Sequence, residues 1–199
     1  MKPEIVVMGM SAGGFRALER ILRALPADFS LPIVVVQHRS RESDAFASIM
    51  RSLVGLPVHE AEDKEPLVVP GVYLAPPNYH LLLEVGHLAL STDEAVGYSR
   101  PSIDVLFESA ADAYGASVLA VLLTGANSDG TAGLRRIRAA GGYAMVQDPR
   151  TAESPEMPNA AVAAGMADLV APLDTISSEL ARRAAEASNH RTEAAKRRA

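Results

Sequence analysis

Cysteine is absent from the 199-residue chain. Disulfides, thiol catalysis and cysteine metal sites are therefore excluded. No apolar run approaches the roughly 20 residues of a membrane-spanning helix, so direct membrane insertion is not expected. The opening Met1-Lys2-Pro3-Glu4 passes straight into an apolar run. It is read as leaving no room for a signal peptide, which makes the cytoplasm the expected compartment. Metal-ligand spacing is missing too: no histidine pair stands at i, i+2 or i, i+4 with a carboxylate as third ligand. No metal and no cofactor are expected. No pair of acids stands out beside a glycine turn, which argues against the two-carboxylate chemistry of glycoside hydrolysis.

Hydrophobic residues make up 48% of the chain, enough for a folded domain with a substantial core. The net charge of -5 is unevenly spread. From Arg182 to Ala199 there are six basic and two acidic residues, leaving -9 on the first 181. An acidic body argues against nucleic acid as the partner. The expected division is a globular domain over residues 1–181 and a basic, helical or disordered tail over 182–199.

Long apolar runs supply the framework. Ile5–Met10, Leu31–His38 and Ser117–Leu123 read as strands buried on both faces. Shorter strands are expected at Pro57–Glu60, Gly71–Pro77, Tyr143–Gln147 and Asp168–Val170. His80–Glu84 and His87–Ser91, joined by Val85-Gly86, read as a hairpin. Helical spacing follows the first strand and recurs over Ala45–Leu53, Pro101–Tyr114, Thr131–Ala140, Asn159–Ala164 and from Asp174 onward. Alternating strands and helices imply a doubly wound, mainly parallel α/β sheet, with the antiparallel hairpin at one edge.

The most informative stretch is Gly9-Met10-Ser11-Ala12-Gly13-Gly14, where the first strand breaks into a helix. Such a turn lifts a hydroxyl off the sheet and aims free backbone N–H groups at the same point. It suits a serine nucleophile, a phosphate cradle or a simple helix cap. The dinucleotide fingerprint G-x-G-x-x-G is not met, because Ser11 replaces its second glycine. A dinucleotide site would also want an acid ending the second strand, where this chain has Gln37-His38.

The second long strand ends at His38, and the third runs into Asp129. In a parallel sheet these three ends share one edge, so Ser11, His38 and Asp129 can form a nucleophile, base and orienting carboxylate. The backbone N–H of Ala12 is the candidate oxyanion donor.

Six segments taken in order resemble the catalytic domain of the CheB family of chemotaxis protein-glutamate methylesterases. They are Gly9–Gly14; Val36-Gln37-His38; Leu74-Ala75-Pro76 with His80–Leu83; Arg100–Phe107; Leu122–Gly125 with Asp129-Gly130; and Gln147 with Met157-Pro158. They span roughly residues 4–172. The resemblance implies a seven-stranded sheet and a triad on Ser11, His38 and Asp129. It implies hydrolysis of glutamate methyl esters on the cytoplasmic domain of a methylated receptor or similar signalling protein. Glutamine deamidation by the same route is also implied, without a cofactor. Gly13, Gly14, His80, Arg100, Ala126 and Met157 are candidate substrate-binding positions. Ala126 stands where the family commonly has Met, and Ala12 where it often has Thr. An N-terminal receiver domain, usual in the family, is not expected here. The alternatives are a non-catalytic α/β module binding a nucleotide or protein, and an esterase acting on another substrate.

Overall fold

A computed structural model of the chain describes residues 2–38 and 45–196, with side chains of the final helix described as far as Ser188. The polar loop expected at 39–44 lies outside the described residues. In chain order the strands are β1 (Ile5–Met10), β2 (Ile33–Gln37), β3 (Val58–Glu60), β4 (Val72–Leu74), β5 (His80–Glu84), β6 (His87–Ser91), β7 (Val118–Leu122), β8 (Tyr143–Gln147) and β9 (Leu169–Ala171). The helices are α1 (Gly14–Ala24), α2 (Phe46–Leu53), α3 (Ile103–Tyr114), α4 (Thr131–Ala139), α5 (Glu156–Ala163) and α6 (Leu173–Lys196).

Seven strands form one sheet in the order β3-β4-β2-β1-β7-β8-β9. Every pairing within it is parallel. β1, β2 and β7 are buried at every position, as their unbroken apolar runs require in a sheet covered on both faces. Side chains alternate between two cores. Val6, Met8 and Met10 of β1 face a layer holding Leu18, Ile21 and Leu22 of α1 and Ile176 and Leu180 of α6. Ile5 and Val7 face the other layer, with Leu106 and Phe107 of α3, Leu134 and Ile137 of α4, and Ala161 of α5. Burying each large aliphatic of the α1 stripe contributes about 1.5–3 kcal/mol.

The hairpin differs from expectation. β5 and β6 form a separate two-stranded sheet instead of extending the parallel one. Leu81, Leu83 and Leu88 are buried against the α3 side of the core. The Ser109 hydroxyl accepts the Leu83 N–H at 3.0 Å, and the Tyr114 hydroxyl accepts that of Gly86 at 2.9 Å. Leu81 and Leu83 share one face of β5, and α3 takes that face, so the hairpin is held by packing and side chains.

Two helix boundaries also move. α3 starts at Ile103 behind the cap Ser102, two residues after Pro101. α5 starts at Glu156, three residues before the expected Asn159. Pro158 is accommodated there because it falls in the first turn, where a backbone N–H has no intrahelical partner. α6 runs unbroken through the expected domain edge at residue 182. Ala184 and Ala187 are buried, and the Ser188 hydroxyl donates to that of Ser30 at 2.7 Å. The segment expected as a tail therefore packs on the domain at least to Ser188.

Candidate active site

The chain leaves β1 for β2 on one side and later returns to place β7 on the other. That reversal makes the carboxyl end of β1 the switch point of the sheet, where open α/β folds bind ligands. Ser11 follows β1 directly. Its N–H donates to Thr124 O beyond β7 at 2.9 Å, and His38 N–H beyond β2 donates to Met10 O at 3.0 Å. The central ladder thus continues past the strand ends and holds the three loops together.

The turn is built from small residues for steric reasons. Gly13 has φ of 78° and caps α1. A Cβ there would lie 2.7 Å from Glu153 Cβ, and one on Gly14 would lie 2.1 Å from Gln37 Oε1. Among the described residues the N–H groups of Ala12 and Gly13 find no acceptor. They stand beside the half-buried Ser11, at the electropositive start of α1. Ser11, Gly13, Gly14, Phe15, Arg16, Gln37 and Glu153 line a cavity of about 320 Å³.

His38 Nε2 and Asp129 Oδ2 are 2.8 Å apart, with side chains only 13% and 7% exposed. An ionised carboxylate only accepts, so Nε2 carries the hydrogen and neutral His38 keeps its lone pair on Nδ1. Ser11 Oγ makes no hydrogen bond to His38 among the described residues.

Asp129 is fixed by more than the histidine. It accepts from Ser102 Oγ at 3.0 Å, Ile103 N at 2.8 Å and Asp104 N at 2.9 Å. Burial works against its charge, but the bonds from His38, Ile103 and Asp104 outweigh that and hold the carboxyl below its ordinary range. Asp104 behaves oppositely. Burial and the nearby Asp129 charge push it up to about 6, against the relief given by the Gly133 N–H.

A further set of bonds holds the floor. Gln37 Nε2 donates to Ser11 O at 2.8 Å and to His38 O at 2.9 Å. The buried Thr124 donates to Ala12 O at 2.8 Å and accepts from Ser154 N at 2.9 Å. Gln147 Oε1 accepts the Thr124 N–H at 2.9 Å. Gln37, Ser102, Asp104 and Thr124 were not among the residues expected from sequence. The available signals were the cap position of Ser102 before an apolar run and a polar Gln37 closing a buried strand.

The other expected positions separate. Gly13 and Gly14 line the cavity with Ser11. Ala126 is exposed on the loop leading to Asp129. Met157 is fully buried beneath that loop, its N–H on Gly125 O at 2.9 Å. His80 is buried at 2% exposure instead of rimming the cavity. It receives the Ser102 N–H at 3.2 Å on Nδ1 and donates to Glu94 O at 3.0 Å from Nε2. Arg100 Nη1 donates to the carbonyls of Thr92 at 2.7 Å and Asp93 at 2.9 Å, which ties down the loop before α3. Among the described residues no group of three or more histidines and carboxylates could hold a metal ion. No helix there is long and apolar enough to cross a membrane.

Residues 6–180 match the family described as CheB methylesterase. The chain belongs to that family. A relative from Leptospira interrogans serovar copenhageni is 48% identical over 178 residues, covering 88% of this chain and 92% of the relative. The protein-glutamate methylesterase/protein-glutamine glutaminase of Trichodesmium erythraeum is 38% identical over 188 residues, covering 92% of this chain and 53% of that protein. The Thermotoga maritima CheB methylesterase catalytic domain superposes with a TM-score of 0.87 at 35% identity, covering 92% of this chain and 99% of that domain. The CheB methylesterase fold therefore accounts for the whole parallel sheet and its helices, with Ser11 at its switch point.

Proposed function

We propose that the chain is a serine esterase that hydrolyses glutamate methyl esters on the cytoplasmic domains of chemoreceptor-type proteins, and deamidates glutamine there by the same route. Membership of the CheB methylesterase family and the names of relatives support the reaction class. The observation that carries the assignment of roles is the 2.8 Å bond between His38 and Asp129 at strand ends flanking Ser11.

In this mechanism Ser11 Oγ attacks the ester carbonyl while His38 Nδ1 takes its proton. The oxyanion is met by the Ala12 N–H, and the neighbouring Gly13 N–H, also without an acceptor among the described residues, is a second candidate donor. His38 returns the proton to the departing methoxide, and methanol leaves. Water, deprotonated by His38, then cleaves the acyl-enzyme to give the glutamate carboxylate. With a glutamine substrate ammonia leaves instead. Asp129 keeps the hydrogen of His38 on Nε2 and stabilises the imidazolium that forms.

The test is methanol release from a methylated receptor cytoplasmic fragment, comparing the wild type with Ser11→Ala. Release that falls by about a thousandfold or more in the variant supports the reading. Release unaffected by the substitution, or absent from the wild type, overturns it.

A further inference from the structure

Three arginines lie along one side of α1, at positions 16, 20 and 23. Two are already engaged. Arg20 makes a paired contact with Asp174, at 2.7 and 2.6 Å, and Arg23 reaches Glu19 at 3.1 Å. Arg16 is exposed and has no hydrogen bond or ion pair among the described residues. Of these three it is the nearest in sequence to Ser11. It lines the cavity of about 320 Å³ that holds Ser11. It lines a second of about 150 Å³ beside Gly13 and Thr124, and a third of about 440 Å³ with Arg20 and Arg23. Arg16 is the residue that lines all three hollows. Among the described residues Glu153 is the sole acid lining the first two, and it is not paired with Arg16. The first turn of α1 carries no acidic residue, so its free N–H groups add to the positive potential. The surrounding body is acidic, so this is a local feature and not part of a basic surface.

We propose that Arg16 is a specificity residue of this site, pairing with a carboxylate that flanks the ester on a helical substrate segment. The proposal rests on the esterase reading above. Residues three or four positions from the reacting glutamate share its helix face. When the ester side chain enters beside Ser11, such a neighbour is carried over the first turn of α1, where Arg16 stands. The guanidinium fork suits a carboxylate better than a point charge does. The enzyme then prefers glutamyl esters set among acidic residues over the same esters in neutral sequence.

Two synthetic helical peptides test this. Each carries one central glutamate methyl ester. One has Glu at the positions four before and four after it, and the other has Gln there. Binding to the Ser11→Ala protein is read by fluorescence anisotropy, and methanol release by the Ser11-containing enzyme is read in parallel. The acidic peptide is expected to bind about fivefold more tightly at low ionic strength, with the advantage fading as salt is added. Adding Arg16→Glu should abolish or invert the preference, and Arg16→Lys should retain part of it. Equal binding of the two peptides, or a preference that survives Arg16→Glu, overturns the proposal. Absence of methanol from both peptides would count against the esterase reading alone, because the binding comparison decides the role of Arg16 without turnover.

Discussion

Asp104 and Asp129 cap each other's helices. Asp129, two residues ahead of α4, accepts the first N–H groups of α3 from Ile103 and Asp104. Asp104, in the first turn of α3, accepts the Gly133 N–H of α4 at 2.7 Å. Each carboxylate meets N–H groups that a helix leaves unpaired at its start. The exchange locks α3 to α4 and, through Asp129, fixes the position of the His38 ring. It also sets two half-buried carboxylates near each other, with opposite effects on their protonation.

Asp104 should make stability fall as pH rises. Burial, with the Asp129 charge nearby, pushes its carboxyl up to about 6 in the folded protein, above the ordinary carboxylate value of 3.8. The folded protein therefore holds a proton there that the unfolded chain has lost. Stability from this group is full below the unfolded value and is lost as pH rises through the folded one. Asn at this position does not titrate. The wild type should lose about 1 kcal/mol relative to Asp104→Asn between pH of about 4 and 6.5, after allowance for partial exposure. Urea denaturation of both proteins across that range is the check, and a pH-independent difference would remove the effect.

Asp129→Asn should damage catalysis and folding together. An amide in place of the carboxylate offers His38 a donor as readily as an acceptor, which frees the ring to take the wrong tautomer. A fall in kcat of about 10³–10⁴-fold is expected, with a stability loss of about 1–2 kcal/mol from the weakened α3 cap. Ser102→Ala is the contrast. It removes one bond to Asp129 and should cost similar stability with a much smaller loss of kcat.

Gln37→Leu keeps the bulk of the side chain but leaves the carbonyls of Ser11 and His38 without their shared donor. The expected cost is about 1–3 kcal/mol. Because the loops bearing Ser11 and His38 lose this side-chain tie and keep only their backbone bonds, kcat should fall by about 10–100-fold with KM nearly unchanged. Steady-state kinetics on the methylated fragment, run beside thermal melts, would separate the two effects. A variant with unchanged kcat would show the tie to be structural only.

Arg100→Ala tests whether that residue serves the loop or the substrate. Loss of its bonds to the Thr92 and Asp93 carbonyls should make the loop before α3 more sensitive to limited proteolysis. If proteolysis is unchanged while affinity for the receptor fragment drops, substrate docking is the better account.

The framework was legible because β1, β2 and β7 are long apolar runs, each broken by small or polar residues at the carboxyl end. That pattern places Ser11, His38 and Asp129 on one edge without knowledge of any contact. The supporting residues were not legible for the complementary reason. Asp104 is twenty-five positions from Asp129, and Gln37 twenty-six from Ser11, so their bonds exist only once the sheet is assembled. His80 illustrates the limit differently. A histidine after a Pro-Asn-Tyr loop reads as a surface group, yet it is buried because Ser102 and Glu94 satisfy both ring nitrogens. The hairpin was recognised from two short runs about the Val85-Gly86 turn, but a turn does not specify which element covers the buried face.

The placement of the His38–Asp129 pair bears on when activity can arise. Its members are 91 residues apart in the chain, and β7 must insert beside β1 before they meet. Contacts at such separation form late, because loop-closure entropy is spent before they repay it. A nascent chain that has emerged only through α2 would hold Ser11 and His38 on adjoining strands and still lack the carboxylate. Ester hydrolysis would therefore switch on with completion of the sheet, and the onset of activity during refolding can serve as a clock for its assembly.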